Sequence, residues 1–165
     1  MRSLWTAIRA LVYSALFFWL WGWVALGLRP YDDRLGGPLG TWAVPLGWLA
    51  IAGGAALAAS CVWVFVLRGR GTPAPFDAPR QVVAAGPYTV VRNPMYLGGF
   101  LILAGFGLVQ RSAAIVVFSA AWLLLVHLAV VFLEEPDLRR KFGPSYDEYR
   151  RAVPRWLPRR GGGRG

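Results

Sequence analysis

The chain has 165 residues, enough for one domain, and 56% of them are hydrophobic, with a mean hydropathy of +0.46. Soluble domains run roughly 45–50% apolar even when Gly is counted, so an ordinary water-soluble core protein is excluded and membrane helices are expected. The formal net charge of +10 lies between and after apolar runs, not interleaved with aromatics on a polar surface. That placement fits the positive-inside rule and anionic headgroups, and leaves no nucleic-acid site.

The first apolar run covers about residues 4–28. It is too long for a signal-peptide core and shows no small-residue cleavage site, so it reads as a retained spanning helix. Arg9 can snorkel from its start, and Trp19, Trp21 and Trp23 suit an interfacial belt. A loop over 29–41 follows, broken by Pro30, Gly36, Gly37 and Pro38, with Arg29 and Arg34 balanced by Asp32 and Asp33. The second run, 42–67, carries Ala50, Gly54 and Ala58 four apart, a small-residue stripe on which another helix can pack closely. The lone cysteine, Cys61, lies in this run and has no disulfide or metal-ligand partner.

An irregular, Pro-rich connection spans 69–79 within a basic stretch that ends at Pro94. The third run, 95–109, is short: at 1.5 Å per residue it covers roughly 22 Å, less than a ~30 Å hydrocarbon core. It is sheltered by neighbours, or sits where the bilayer thins. Gln110, Arg111 and Ser112 form a tight turn into the fourth run, 113–133, so these two runs make a helical hairpin. His127, the sole histidine, lies in that last run and reads as a packed core residue; no metal site is expected. From Glu134 the tail is basic and amphipathic. Pro136 can open a short helix and Gly143 close it, and Ser145 with Glu148 resembles a capping box for a second one. Arg159, Arg160 and the final glycines read as a disordered end.

The fold expected is therefore an all-α integral membrane protein, a single membrane domain over 1–165. It has four transmembrane helices and short amphipathic C-terminal helices at the cytoplasmic interface. Two Lys or Arg residues, Arg2 and Arg9, lie at the N-terminal end, four lie in the middle connection and nine in the tail, against three in the remaining loops. Both termini are therefore placed in the cytoplasm. The preference for Arg over Lys hints at a GC-rich bacterial genome, and so at a bacterial inner membrane.

Two polar clusters stand out. The segment Gly86-Pro87-Tyr88-Thr89-Val90-Val91-Arg92-Asn93-Pro94-Met95-Tyr96 leads rigidly into the third helix and gathers Tyr88, Arg92, Asn93 and Tyr96. On composition alone it is equally an interfacial anchor. The pair Glu134-Glu135 ends an apolar helix, where the helix dipole disfavours negative charge and the carboxylates repel each other. A cation is therefore expected beside it, either the protein's own arginines or a cationic ligand.

These clusters carry a family resemblance. Arg92-Asn93-Pro94-Met95-Tyr96-Leu97-Gly98 resembles the Arg-His-Pro-x-Tyr-x-Gly motif of isoprenylcysteine carboxyl methyltransferases. Glu134-Glu135, Leu138, Phe142-Gly143, Tyr146, Tyr149 and Val153-Pro154 resemble their C-terminal signature, and phospholipid methyltransferases share the glutamate pair. The resemblance covers about residues 80–158, with site segments 80–98 and 134–158. It implies S-adenosylmethionine-dependent methyl transfer to a lipophilic or amphipathic acceptor at the membrane interface. A phospholipid or a small thiol is the alternative acceptor within the same superfamily. The implied catalytic residues are Arg92 and Glu135. Tyr88, Asn93, Tyr96, Gly98, Glu134 and Glu135 would hold the cofactor, and Arg92, Tyr149 and Arg150 the acceptor. Membrane lipid is the other expected partner, with no nucleic acid and no metal.

The roles are chemically reasonable. Glutamates suit the donor's ammonium or ribose hydroxyls, Arg92 suits a carboxylate of donor or substrate, and tyrosine rings suit adenine or a sulfonium. No general base stands out, which favours an anionic acceptor such as a carboxylate or thiolate. The chain departs from the prenylcysteine pattern at Asn93, which replaces a titratable His, at Arg155-Trp156, and in having no extra N-terminal helices. Two other classes compete. One is a membrane oxidoreductase like the larger sterol reductases; the other is a non-enzymatic scaffold whose small-residue stripe and basic tail serve partner helices and lipid.

Overall fold

The computed structural model describes residues 12, 15, 16, 19–68 and 84–158, and those residues are all helix, turn or irregular chain without a strand. The expectations for Arg9, for the linker 69–79 and for the end from Arg159 lie outside the described residues.

Helix α1 is described over 19–26. A 3-10 segment, Arg29–Leu35, connects it to α2 (Ala43–Arg68), and a second 3-10 turn, Gly86–Thr89, precedes α3 (Pro94–Val109). Helix α4 (Ala113–Ala129) runs through a π-helical turn, Val130–Glu134, directly into α5 (Glu135–Phe142), and α6 (Pro144–Ala152) follows. Ala43–Val64 and Ala113–Phe142 are long and apolar enough to cross a membrane by length and composition. Their outward faces carry Trp48, Leu49, Trp63, Leu124, Leu125, Phe132 and Leu133, all exposed. Apolar side chains in such numbers suit hydrocarbon as solvent, not water.

Helices α2 and α3 meet backbone to backbone. A Cβ added to Gly54 would lie 2.7 Å from the Gly98 carbonyl, and one added to Gly98 would meet Gly54 and Ala58 of the expected stripe. Gly47 and Gly105 repeat the arrangement further along, so the small residues let the axes approach as closely as the chain permits. The other side of α3 packs with α1 and α4 around Ala25, Leu103, Ile115 and Trp122. The short α3 is thus sheltered by its neighbours. Trp21 does not join an interfacial belt with Trp19 and Trp23. Those two lie four apart on an exposed face, whereas Trp21 turns inward against Phe118 and Trp122, with ring centroids 5.8 and 6.3 Å away.

The turn between α3 and α4 is held by the 29–41 loop. Arg111 takes a positive φ of 55°; its Nε donates to the Leu39 carbonyl at 2.6 Å, and its own carbonyl accepts from Leu39 N at 2.8 Å. Ser112 caps α4 by accepting from Ile115 N. Asp32 completes the cap, accepting from Ser112 Oγ and Ala114 N, each at 2.9 Å. Asp32→Ala is expected to cost about 1 kcal/mol, the usual size of a lost cap. Thermal unfolding in detergent checks this, with the adjacent exposed Asp33→Ala expected to stay close to the parent protein.

The expectations for the tail hold in part. Pro136 stands in the first turn of α5, as read from the sequence, and α5 is reached directly from α4 through the π turn: Glu135 N bonds back to Val130 O, so the α-register is already broken where the proline lacks its donor. Ser145 does not cap α6. That helix begins one residue earlier at Pro144, behind Gly143 (φ 53°), and Ser145 Oγ donates instead to the Phe142 carbonyl. Gly143 does end α5, as read from the sequence.

Candidate active site

Two segments distant in sequence meet at the end of the helix bundle that α5 and α6 cover. The chain over 91–93 runs beside the chain over 153–156: Arg92 N donates to the Pro154 carbonyl at 2.8 Å, and Asn93 Nδ2 donates to the Arg155 carbonyl at 3.3 Å. Proline 94 at the first turn of α3 fixes the direction of that helix immediately afterwards. The Tyr149 hydroxyl on α6 donates to the Tyr88 carbonyl at 2.7 Å, and Trp156 Nε1 donates to His127 Nδ1 at 2.9 Å. The C-terminal segment is therefore strapped to α3, to α4 and to the turn before α3.

Glu135 sits at the centre of this seam, 6% exposed. Arg155 grips it with both nitrogens, Nε to Oε1 at 2.7 Å and Nη2 to Oε2 at 3.0 Å. Arg92 Nη1 lies 3.2 Å from Oε1, and Arg150 Nε lies 3.8 Å from Oε2. Three guanidiniums from three places in the chain thus face one carboxylate, and the protein's own arginines supply the cation that the glutamate pair demanded. The bidentate hydrogen bond to Glu135 raises the Arg155 pKa further. The neighbouring Glu134 faces another way and accepts from the Tyr96 hydroxyl at 3.0 Å. The π turn ends at this pair, where the sequence reverses from apolar to charged. π turns recur at functional sites for this reason: they re-aim side chains without ending the helix.

Burial governs the tyrosines. It pushes the Tyr88 and Tyr149 phenols well up and raises that of Tyr146; Cys61 beside Tyr88 and the Glu135 carboxylate beside Tyr146 add to the effect. All three stay neutral hydroxyls at physiological pH, and Tyr149 donates its own to the Tyr88 carbonyl. Arg92 is nine-tenths buried, with a side chain 9% exposed. Its Nε and Nη1 donate no hydrogen bond, although Nη1 is at ion-pair distance from Glu135. Arg92 lines an open recess of ≈ 530 Å³ together with Arg139, Asp147, Arg150 and Arg151.

The structure brings together most of the residues singled out in the sequence. Arg92, Arg150 and Glu135 are in direct contact, Tyr96 pairs with Glu134, Tyr149 with Tyr88, and Asn93 with the 153–156 segment. Gly98 lies apart, packed on α2. Sequence reasoning missed Arg155 and Trp156 as partners. It also treated His127 as core, although its Nδ1 holds Trp156. The charge demand at Glu135 was the signal for an arginine, but nothing in the spacing singled out Arg155 from the other tail arginines.

A helical chain with membrane-length apolar helices and a buried carboxylate–guanidinium seam at one end belongs to a recognisable class. The phospholipid methyltransferase family matches it over residues 36–145, and the chain belongs to that family. It is 27% identical to methanethiol S-methyltransferase of Crocosphaera subtropica over 150 residues, covering 87% of this chain and 55% of that protein. It is 28% identical to methanethiol S-methyltransferase of Pseudomonas deceptionensis over 152 residues, covering 89% and 55%. Nickel-cobalt-cadmium resistance protein NccN of Alcaligenes xylosoxydans xylosoxydans is 33% identical over 79 residues, 48% of this chain and 37% of that protein. The chain thus spans between about a third and just over half the length of these curated relatives. No solved structure matches it. Among the described residues no group of three His, Cys, Asp or Glu side chains is placed to hold a metal ion.

Proposed function

We propose that this protein transfers a methyl group from S-adenosylmethionine to a small thiol at the membrane interface. The observation that carries the reading is the juxtaposition of Glu134-Tyr96 and Glu135-Arg92, both drawn from the motifs that first suggested a methyltransferase. The residues suit such a donor. Glu134 is only partly engaged by Tyr96 and offers acceptor capacity to an ammonium or hydroxyl. Glu135 is saturated by guanidiniums, so it positions Arg92 beside the recess, where a guanidinium suits an anion. Tyr88, Tyr149 and Asn93 hold the wall of the site together. Gly98 contributes through its close contact with α2.

The donor supplies an electrophilic methyl on a sulfonium; what the protein must supply is alignment and exclusion of water. A thiolate acceptor needs no general base at the moment of transfer, in keeping with the lack of an evident one. Two relatives that match over most of this chain bear the name methanethiol S-methyltransferase, and this favours a thiol over the lipid carboxylate or phospholipid amine. An amphipathic acceptor reaching the site from the bilayer is the second reading, favoured by the exposed apolar faces of α2 and α4.

In this reading the chain is one membrane domain over 1–165 with four crossings, and the arginine-rich seam faces the cytoplasm together with both termini, in a bacterial inner membrane. The test is incubation of purified protein in lipid nanodiscs with methyl-labelled donor and, separately, an alkanethiol, phosphatidylethanolamine or a prenylcysteine. Label in the volatile thioether is the expected result. Label in either lipid acceptor instead would move the second reading to the front. Well-folded protein that binds neither S-adenosylmethionine nor S-adenosylhomocysteine would defeat the methyltransferase assignment.

A further inference from the structure

A π turn is rare, and one that ends on the glutamate pair needs contacts that keep it from relaxing to an α-helix. Relaxation would rotate everything after the turn by roughly 100° relative to everything before it, the rotation of one residue. Glu134 would then leave Tyr96, and Glu135 would leave Arg92 and Arg155. The strap formed by residues 153–156 bears on this. Arg155 grips Glu135, the first residue after the turn, with both nitrogens. Its neighbour Trp156 reaches the other side: Nε1 donates at 2.9 Å to Nδ1 of His127, in the last turn of α4, with ring centroids 6.0 Å apart. The His127 backbone carbonyl in turn accepts from the N–H of Val130, the first residue of the π turn. Two consecutive residues of the strap thus hold both ends of the turn. The strap is itself fixed to α3, by Arg92 N on the Pro154 carbonyl and Asn93 Nδ2 on the Arg155 carbonyl. Tyr96, the partner of Glu134, stands on that same helix.

We propose that His127 and Trp156 are positioning residues of the candidate active site: with Arg155 and Glu135 they bridge the π turn, keep its register and so hold Glu134 against Tyr96. An indole N–H only donates, so Nδ1 of His127 serves as the acceptor and carries no proton in this arrangement. A histidine in an apolar membrane helix costs free energy that leucine would not. What the ring supplies in return is the hydrogen bond to Trp156, the one side-chain hydrogen bond His127 makes among the described residues. The effect reaches the donor through Glu134, whose acceptor capacity the proposed function assigns to an ammonium or a hydroxyl. The link to the donor rests on that reading; the bridge across the turn rests on geometry alone.

The test takes the full chain in lipid nanodiscs through two measurements. The first is hydrogen–deuterium exchange of peptides covering residues 130–135, without ligand. His127→Leu and Trp156→Phe should speed exchange there by about fivefold or more, as local opening becomes easier. His127→Asn, whose Oδ1 can accept in place of Nδ1, should restore slow exchange. The second is the calorimetric affinity for S-adenosylhomocysteine. It should weaken about tenfold in His127→Leu and return to within about twofold of the parent in His127→Asn. The double variant His127→Leu/Trp156→Phe should lose no more than either single one, since both remove the same hydrogen bond. In a Glu134→Ala background, His127→Leu should change the affinity by less than about twofold, because the group it positions is already gone. Unchanged exchange at 130–135 in folded His127→Leu overturns the bridge. Faster exchange with unaltered affinity overturns the positioning role, and so does an equal loss of affinity with and without Glu134→Ala. A parent protein that binds no S-adenosylhomocysteine, while the exchange pattern holds, would remove the proposed activity and support the bridge.

Discussion

Glu135→Ala is expected to lower the stability of the folded protein by roughly 3–5 kcal/mol, the range seen when one partner of a buried ion pair is removed. The reason is specific to this seam. The substitution takes away the sole carboxylate that Arg92, Arg150 and Arg155 are seen to share, and Arg92 is too deeply buried to be hydrated in its place. Glu135→Gln should fall between the two, since its amide oxygen still accepts from Arg155 while the charge is gone. Chemical unfolding in mixed micelles measures both, and binding of S-adenosylhomocysteine should weaken by tenfold or so, about 1.4 kcal/mol, in any Ala variant that remains folded. A double-mutant cycle with Arg155→Ala should give a coupling of at least ~1 kcal/mol. Stability within about 0.5 kcal/mol of the parent would show that the seam does not hold the tail, because that is the scatter of neutral surface changes.

The second large effect concerns two glycines in contact and a third on the same helix. Gly105→Ala would place a Cβ 2.7 Å from the Gly47 carbonyl, and Gly47→Ala would place one 2.6 Å from the Gly105 carbonyl. The obstacle in both cases is backbone, which cannot rotate aside, so α2 and α3 must separate. Each substitution is expected to cost about 1–3 kcal/mol. Gly53→Ala, also on α2, meets nothing within 4 Å and should stabilise by roughly 0.5–1 kcal/mol, because alanine restricts the unfolded chain and favours helix. The same exchange should thus change sign within one helix. Equal effects at Gly53 and Gly47 would show that the close approach does not contribute to stability.

The helices were legible because their signals are redundant. Length, hydropathy and breakers agree at residues 42–67, 95–109 and 113–133, and the observed α2, α3 and α4 begin within a residue of those limits. The partner of the Gly54 stripe was foreseeable in kind, since small residues four apart ask for another helix, although only the structure identifies it as Gly98. What failed was finer. Trp21 was grouped with its neighbours by composition, whereas a helix separates positions two apart by more than half a turn. In the site, Arg92, Glu134 and Glu135 announced themselves by being charged at the ends of apolar runs. Arg155 did not, because it is one arginine among many in a basic tail, and its role depends on a contact across 20 residues that no local pattern encodes. Arg139 and Arg151, which line the recess, were hidden for the same reason.

The strap formed by residues 153–156 also orders events during synthesis. Arg155 leaves the ribosome 20 residues after Glu135, and Trp156 leaves it 29 residues after His127. While the nascent chain is being inserted, Glu135 emerges with Arg92 already made but its bidentate partner still to come. The seam closes only once the segment beyond α6 has emerged, so a chain stopped before Arg155 would leave Glu135 without its bidentate partner.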